Sequence, residues 1–191
     1  MNLPNKLTIL RLILIPFYIF FLMTDYYMLT SIVAMLIFLA ACITDNLDGR
    51  IARKRNLITN FGKFADPLAD KILVISAMIC FVANGRMPFW VLIIIIAREF
   101  AVSGFRLVAA SNGTVLAASI WGKMKTGWQM STCMFMTCDI VRLVEGFGWP
   151  SVVVTVWHIV ELIAMYGALV LTIISMIDYF YKNRNCFTTK E

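Results

Sequence analysis

Four aspartates lie close together in a chain that is otherwise strongly apolar. Asp45 and Asp48, the first aspartate pair, are three residues apart, and Asp66 and Asp70, the second aspartate pair, are four residues apart. Ionisable groups at membrane depth are costly, and they normally line a polar cavity, form ion pairs or bind cations. Because four neighbouring carboxylates repel one another, we expect a positive charge among them. The pattern therefore predicts a divalent metal site.

The residue types in this region indicate which metal and which ligand to expect. Carboxylate oxygens are hard ligands, which favours magnesium or manganese over zinc. Magnesium usually keeps phosphate oxygens among its ligands. Arg53, within the basic segment 50–55, adds the positive charge that a bound diphosphate requires. The cluster is therefore predicted to bind a diphosphate together with its metal.

A simpler interpretation is that the aspartates only form interfacial salt bridges. Their partners would then be nearby cations: Arg50, Arg53, Lys54 and Lys71. One Asp–Arg pair would fit this interpretation. Four acids combined with two glycines at helical spacing do not, so the metal site is favoured.

The elements that carry these residues are predicted to be membrane-spanning helices. Of the 191 residues, 61% are hydrophobic and 15% are charged, and the mean hydropathy is +0.83. Such a composition is typical of an integral membrane protein. A spanning helix takes roughly 20 residues, so about six helices use up the chain. The predicted fold is all-α, a single six-helix membrane domain, 1–191, with a polar metal-binding cavity open to the cytoplasm. The predicted spans are 8–23, 30–56, 61–83, 89–110, 120–144 and 151–181.

Positive charge predicts the orientation of these spans. With a cytoplasmic amino terminus, all 17 Lys and Arg residues except Arg86 and Arg142 fall on the cytoplasmic side. Cytoplasmic loops of membrane proteins carry such an excess of Lys and Arg. We therefore expect a multi-pass protein of the cell's inner (plasma) membrane, with both termini and the aspartates on the cytoplasmic side. The net charge of +6 then indicates attraction to anionic lipid headgroups and phosphates. We do not expect the protein to bind nucleic acid.

Helical spacing places each aspartate pair on one helix face. The first pair shares its face with Gly49 and Ala52, and the second pair continues a stripe that begins at Gly62. Small residues at these positions leave room for a ligand to approach the backbone. Only a short connection separates the two helices, so we expect them to be antiparallel neighbours with the pairs facing each other across a cleft.

The two pairs belong to an ordered string of fixed residues. It reads D-x-x-D-G-x-x-A-R, then eight residues, then G-x-x-x-D-x-x-x-D, and it resembles the signature of the CDP-alcohol phosphotransferase family. Every fixed position and the spacing are matched by Asp45, Asp48, Gly49, Ala52, Arg53, Gly62, Asp66 and Asp70. The six-span layout is also similar to that family, so the resemblance covers nearly the whole chain.

The resemblance implies a reaction and a set of residue roles. Such enzymes bind a CDP-linked lipid or alcohol, and a second alcohol attacks the β-phosphorus and expels CMP. By similarity, the two aspartate pairs would hold two metal ions, Mg²⁺ or Mn²⁺, and Asp70 would also be the general base for the attacking hydroxyl. The resemblance implies that the CDP-lipid is lined by Gly49, Ala52, Arg53 and Gly62. It also suggests a homodimer.

Cations outside the signature indicate the second substrate. Arg98 and Arg106 lie in the fourth span, and Lys123 and Lys125 open the fifth, all near the predicted cytoplasmic side. Together with Arg11, these residues are predicted to bind the phosphate of a phosphorylated acceptor. The alternative is that they are interfacial cations whose charged ends reach towards water, which is common for Lys and Arg near helix ends.

Secondary strings favour one acceptor. Segments 2–8, 96–100 and 122–126 resemble the members of the family that use CDP-diacylglycerol as donor and sn-glycerol 3-phosphate as acceptor. Inositol phosphate, serine, choline, ethanolamine and phosphatidylglycerol are the acceptors of sister enzymes. A neutral acceptor would not need this many cations.

Two other classes of protein also combine membrane spans with aspartates. Membrane prenyltransferases use aspartate pairs with magnesium, but their two motifs lie far apart in the sequence. A divalent-cation channel or transporter would need polar residues that continue to the opposite face of the membrane. Segment 31–43 is almost wholly apolar, which argues against that class.

Overall fold

The computed structural model describes residues 3–24, 28–54, 60–111, 119–138 and 151–184, and all regular structure in these ranges is helical. This confirms the predicted all-α class. The six described helices are α1 Leu3–Met23, α2 Met28–Lys54, α3 Asn60–Ala83, α4 Phe89–Ser111, α5 Ile120–Thr137 and α6 Ser151–Lys182. They follow the predicted apolar segments closely. The end of the predicted fifth segment, 139–144, lies outside the described residues.

Two of these helices have a stretch long and apolar enough to cross a membrane. The stretches are Asn5–Met23 in α1 and Val152–Lys182 in α6. In α2 the apolar part, Leu29–Asp45, is shorter because the first aspartate pair interrupts it. The prediction of six spans and a cytoplasmic cavity therefore stays a prediction.

The helices form two compact units. The first consists of Met1–Arg86 with Cys133–His158, and the second of Met87–Thr132 with Ile159–Glu191. Helices α1, α2 and α3 belong to the first unit, α4 belongs to the second, and the ends of α5 and α6 are divided between them.

In the first unit, α1 packs against both α2 and α3. Its buried side chains recur every three or four residues, which is the spacing of one helix face. They are Thr8, Arg11, Ile15, Tyr18 and Leu22. A similar buried stripe on α2 comprises Ser31, Ala34, Phe38 and Ala41, and Asp45 is the next residue along it. The rings of Tyr18 and Phe38 lie 5.5 Å apart between the two helices. Packing the apolar parts of these stripes therefore brings their polar ends together.

Small residues and a glycine cap shape α3. Ala65, Ala69 and Ala77 are buried, so neighbouring helices can approach the backbone closely. The helix ends at Ala83, and two residues later Gly85 has a φ of 69°, in the left-handed region. The amide of Gly85 donates to Val82 and that of Arg86 donates to Phe81, the pattern of a Schellman cap.

In the second unit, polar side chains join α5 to α6 through one carbonyl oxygen. Trp128 Nε1 donates to the Ala164 oxygen at 2.9 Å, and Thr132 Oγ1 donates to the same oxygen at 3.0 Å. The indole of Trp128 lies directly against Gly167, where an added Cβ would be 2.8 Å from Nε1. The crossing of α5 and α6 therefore depends on a glycine at this position.

Replacing Gly167 with alanine should destabilise the second unit. The new methyl group overlaps the Trp128 indole, which must move away from Ala164, and such overpacking costs about 1–3 kcal/mol. We expect a lower melting temperature for G167A in detergent solution. The matched control is G104A, because no atom lies within 4 Å of a Cβ at Gly104 among the described residues. Equal melting temperatures for the two variants would contradict this packing.

Candidate active site

A single arginine from α1 contacts both aspartate pairs. The Nη1 atom of Arg11 lies 2.9 Å from Oδ1 of Asp45 on α2 and 2.6 Å from Oδ1 of Asp70 on α3. The arginine is fully buried, whereas the two carboxylates are 28% and 33% exposed. The structure thus brings carboxylate oxygens from two helices to one nitrogen.

A second residue of α1 holds the remaining described carboxylate. Thr8 Oγ1 donates a hydrogen bond of 2.6 Å to Oδ1 of Asp66. Thr8 is fully buried and lies one helical turn before Arg11 on the same face. Helix α1 therefore positions aspartates of both pairs with one hydroxyl and one guanidinium.

Part of the predicted signature lies at the edge of what the structure describes. The backbone of α2 is helical through the segment 48–53, but the side chains of this segment lie outside the described residues. This concerns four predicted site residues: Asp48, Gly49, Ala52 and Arg53. Gly62, the first glycine of the stripe on α3, is buried. Its burial agrees with the close packing expected at this position.

The donor set of the described aspartates suits a hard cation. Asp45 and Asp70 present oxygen atoms to the same positive group, and Asp66 lies one turn from Asp70 on α3. Within the part of the chain that the structure describes, no three His, Cys, Asp or Glu side chains are grouped as a metal site. Asp48, which would add a further ligand, lies outside that part. The described residues therefore fit one side of the predicted metal site.

The predicted phosphate-binding cations divide into buried and exposed members. In the second unit Arg98 and Lys125 are buried, although both are charged. Arg98 lies on the buried face of α4 with Val91, Ile95 and Val102. Their partner is Glu99, whose Oε1 accepts from Arg98 Nη1 at 3.0 Å and also from Lys125 Nζ. Two buried cations thus share one carboxylate oxygen.

The other predicted cations have different surroundings. Lys123 and Arg106 are exposed, and the guanidinium of Arg106 lies over the Tyr179 ring at 5.4 Å from its centroid. Arg11, which was also predicted to bind phosphate, contacts aspartates in the first unit. The structure therefore brings together Arg98 with Lys125, and Arg11 with Asp45 and Asp70.

Two residues with polar contacts in these clusters were not assigned from the sequence. Thr8 could have been found as a polar residue on the periodic face that also contains Arg11, Ile15 and Tyr18. Glu99 follows Arg98 directly, and adjacent residues on a helix normally point in different directions. No sequence pattern indicated that Lys125 of α5 would meet it.

Comparison with known proteins shows which family this chain resembles over its length. The family model described as CDP-alcohol phosphatidyltransferase matches residues 1–174, which includes the signature and both clusters. A CDP-diacylglycerol–glycerol-3-phosphate 3-phosphatidyltransferase of Bacillus subtilis is 37% identical over 100% of this chain and 99% of its own length. Proteins of the same name from Haemophilus influenzae and Rickettsia typhi are 38% and 37% identical. The matches cover 93% and 94% of this chain and 91% and 95% of those proteins.

These matches extend over nearly the full length of the chain and of its relatives. The aspartates that α1 contacts, Asp45, Asp66 and Asp70, belong to the string of fixed residues that resembles the signature of this family. The apolar helices agree with an integral membrane protein. The chain belongs to the CDP-alcohol phosphatidyltransferase family.

Proposed function

We propose that this protein transfers the phosphatidyl group of CDP-diacylglycerol to sn-glycerol 3-phosphate. The products are phosphatidylglycerophosphate and CMP, as in the reaction for which its relatives are named. In the reaction, an acceptor hydroxyl oxygen forms a bond to the β-phosphorus, the bond from that phosphorus to the CMP oxygen breaks, and the hydroxyl proton leaves. The observation that carries the proposal is the convergence of Asp45 and Asp70 on one buried cation.

The aspartates are proposed to hold the metal ions on which this family depends. Their oxygen-only donor set suits Mg²⁺ or Mn²⁺, and we propose two ions held by Asp45, Asp48, Asp66 and Asp70. When bound, such ions neutralise the diphosphate and stabilise the charge on the departing CMP oxygen. Thr8 and Arg11 orient three of these carboxylates from the side of α1.

Asp70 is proposed to accept the proton of the attacking hydroxyl. Its carboxylate is about one-third exposed, so a substrate hydroxyl can reach it. The hydrogen bond of 2.6 Å from Arg11 Nη1 to Oδ1 fixes the orientation of this carboxylate. Gly49, Ala52, Arg53 and Gly62 are proposed to line the CDP-lipid.

The acceptor phosphate is proposed to bind to the cations of α4 and α5. Arg98 and Lys125 support this role most strongly. Both are buried, and both contact the single carboxylate of Glu99, which offsets only one of their two positive charges. Arg106 and Lys123 are exposed and would add long-range attraction. Arg11 stays a further candidate for the acceptor phosphate.

The setting of the reaction is proposed from charge and composition. We propose a homodimeric, single-domain protein with six spans, in the plasma membrane, with both termini in the cytoplasm. The excess of Lys and Arg on one side supports this orientation, and the lipid nature of the donor supports a bilayer location. The polar cavity would then open towards the cytoplasm.

Release of CMP by purified protein tests the reaction. We expect CMP from CDP-diacylglycerol only when glycerol 3-phosphate and a divalent cation are both present. Serine and inositol phosphate are offered in parallel reactions. Absence of CMP with every acceptor would rule out the enzyme, whereas CMP with only one of the other acceptors would rule out glycerol 3-phosphate.

Substitution of Asp70 by asparagine separates proton transfer from substrate binding. A general base contributes typically 10²–10⁴-fold to the rate, so D70N should lose about that factor in kcat. Binding of labelled CDP-diacylglycerol should survive, because the other carboxylates remain. D178N is the matched control, since Asp178 pairs with Lys182 on α6 at 2.7 Å and has no proposed role. Loss of lipid binding in D70N would make Asp70 chiefly a metal ligand.

A double-mutant cycle measures the contact between Arg11 and the carboxylates. Removing one partner of a buried charge pair is strongly destabilising, and because these carboxylates are partly exposed we expect R11A to lose about 2–3 kcal/mol. In a chelator-containing buffer, D70N should then recover part of the stability of R11A. Melting temperatures of the two single variants and the double variant provide the coupling energy. Strictly additive effects would show that the two side chains do not interact.

A further inference from the structure

The cluster formed by Arg98, Glu99 and Lys125 contains more positive than negative charge in a buried place. Arg98 and Lys125 are 7% and 1% exposed, and the side chain of Glu99 is 14% exposed. Buried charges are costly unless they are paired, and two cations this close repel each other. Glu99 offsets one of the two charges, so the formal charge of these three side chains together is +1.

The geometry of Glu99 also determines where the two cations lie. One oxygen atom, Oε1, accepts from Arg98 Nη1 and from Lys125 Nζ. Arg98 comes from α4 and Lys125 from α5, so the carboxylate connects the two helices. Charge-assisted hydrogen bonds of this kind are the stronger ones in proteins. Without Glu99 the two cations would move apart.

Arg98 has one hydrogen-bond donor without an acceptor among the described residues. Its Nε atom is buried, and none of the described residues accepts a hydrogen bond from it. Buried donors in native proteins are nearly always paired, so an unused one indicates a missing acceptor. An anionic oxygen atom would provide that acceptor and would also balance the remaining positive charge. A phosphate group has both properties.

We propose that Glu99 is a positioning residue for the acceptor: it holds Arg98 and Lys125 side by side and sets their net charge for one phosphate monoester. This inference rests on the proposed function, in which Arg98 and Lys125 bind the acceptor phosphate. Glu99 limits how tightly the anion binds, because its own negative charge lies against the same two cations. The acceptor and the phosphorylated product can therefore both leave.

Two substitutions separate the geometric role of Glu99 from its charge. E99A removes the oxygen that both cations contact, so the Michaelis constant for glycerol 3-phosphate should rise about tenfold or more. E99Q keeps an amide oxygen that can accept from both cations but removes the negative charge. In E99Q the Michaelis constant should therefore not rise, and inorganic phosphate should inhibit at about tenfold lower concentration.

The experiment is steady-state kinetics of the purified full-length protein in mixed micelles. Both substrates are varied, and inorganic phosphate is the competing anion. The Michaelis constant for CDP-diacylglycerol should stay within about twofold in both variants, because that lipid is not bound by this cluster. E161Q is the matched control, since Glu161 is a buried glutamate on α6 without a proposed role.

The outcomes distinguish this inference from the proposed function. If R98Q and K125Q leave the Michaelis constant for glycerol 3-phosphate unchanged, the acceptor site itself is wrongly placed. If those variants raise it but E99A and E99Q behave alike, Glu99 has no positioning role and the inference is overturned. Equal effects of E99A on both substrates would also overturn it, because they indicate a general structural defect.

If E99A does not fold, the melting temperatures of E99Q and of the unmodified protein, each with and without glycerol 3-phosphate, provide the test. Glycerol 3-phosphate should raise the melting temperature of E99Q more than that of the unmodified protein, because the anion replaces the missing negative charge. An equal or smaller rise in E99Q would overturn the proposal.

Discussion

The contact between Arg11 and the aspartates of α2 and α3 is the interaction on which the first unit depends. Carboxylates that converge in an apolar helix bundle are unfavourable unless a cation lies among them. Arg11 provides that cation from α1, and Thr8 provides a hydrogen bond from the same helix face. The long apolar stripes of α1 and α2 pack together, and their polar ends therefore meet at one place. Apolar packing thus determines where the charged groups lie.

In the second unit the charges are reversed: buried cations there are stabilised by a carboxylate. There two buried cations require a carboxylate, and Glu99 is shared between Arg98 and Lys125. Each cluster by itself suits a different kind of charged group. Excess negative charge suits metal ions on a diphosphate, and excess positive charge suits a phosphate monoester. Phosphoryl transfer requires from a protein mainly positioning and charge stabilisation.

The fold class and the family could be predicted from the sequence. The contacts between side chains of different helices could not, for a physical reason. The all-α class and the helix positions follow from long apolar segments, and the spacing of Asp45 to Asp70 identified the family.

The contact partners of the charged side chains were harder to predict because they depend on which helix faces meet. Arg11 was predicted to bind a phosphate, and its contacts with Asp45 and Asp70 could not be predicted from spacing within one helix. Nothing within α4 indicated that Glu99 would meet a lysine of α5. Sequence spacing predicts which residues share a face of one helix but not which residue of another helix lies opposite.

Binding of Mn²⁺ to the purified protein, followed by electron paramagnetic resonance, tests the central claim most directly. The claim is that the aspartates held by α1 form a site for divalent cations. We predict that the unmodified protein binds about two Mn²⁺ ions, as expected for a two-metal site, and that D45N or D66N weakens binding strongly. Mg²⁺ should compete for the same sites. Undiminished binding in both variants, or no binding to the unmodified protein, would contradict the account.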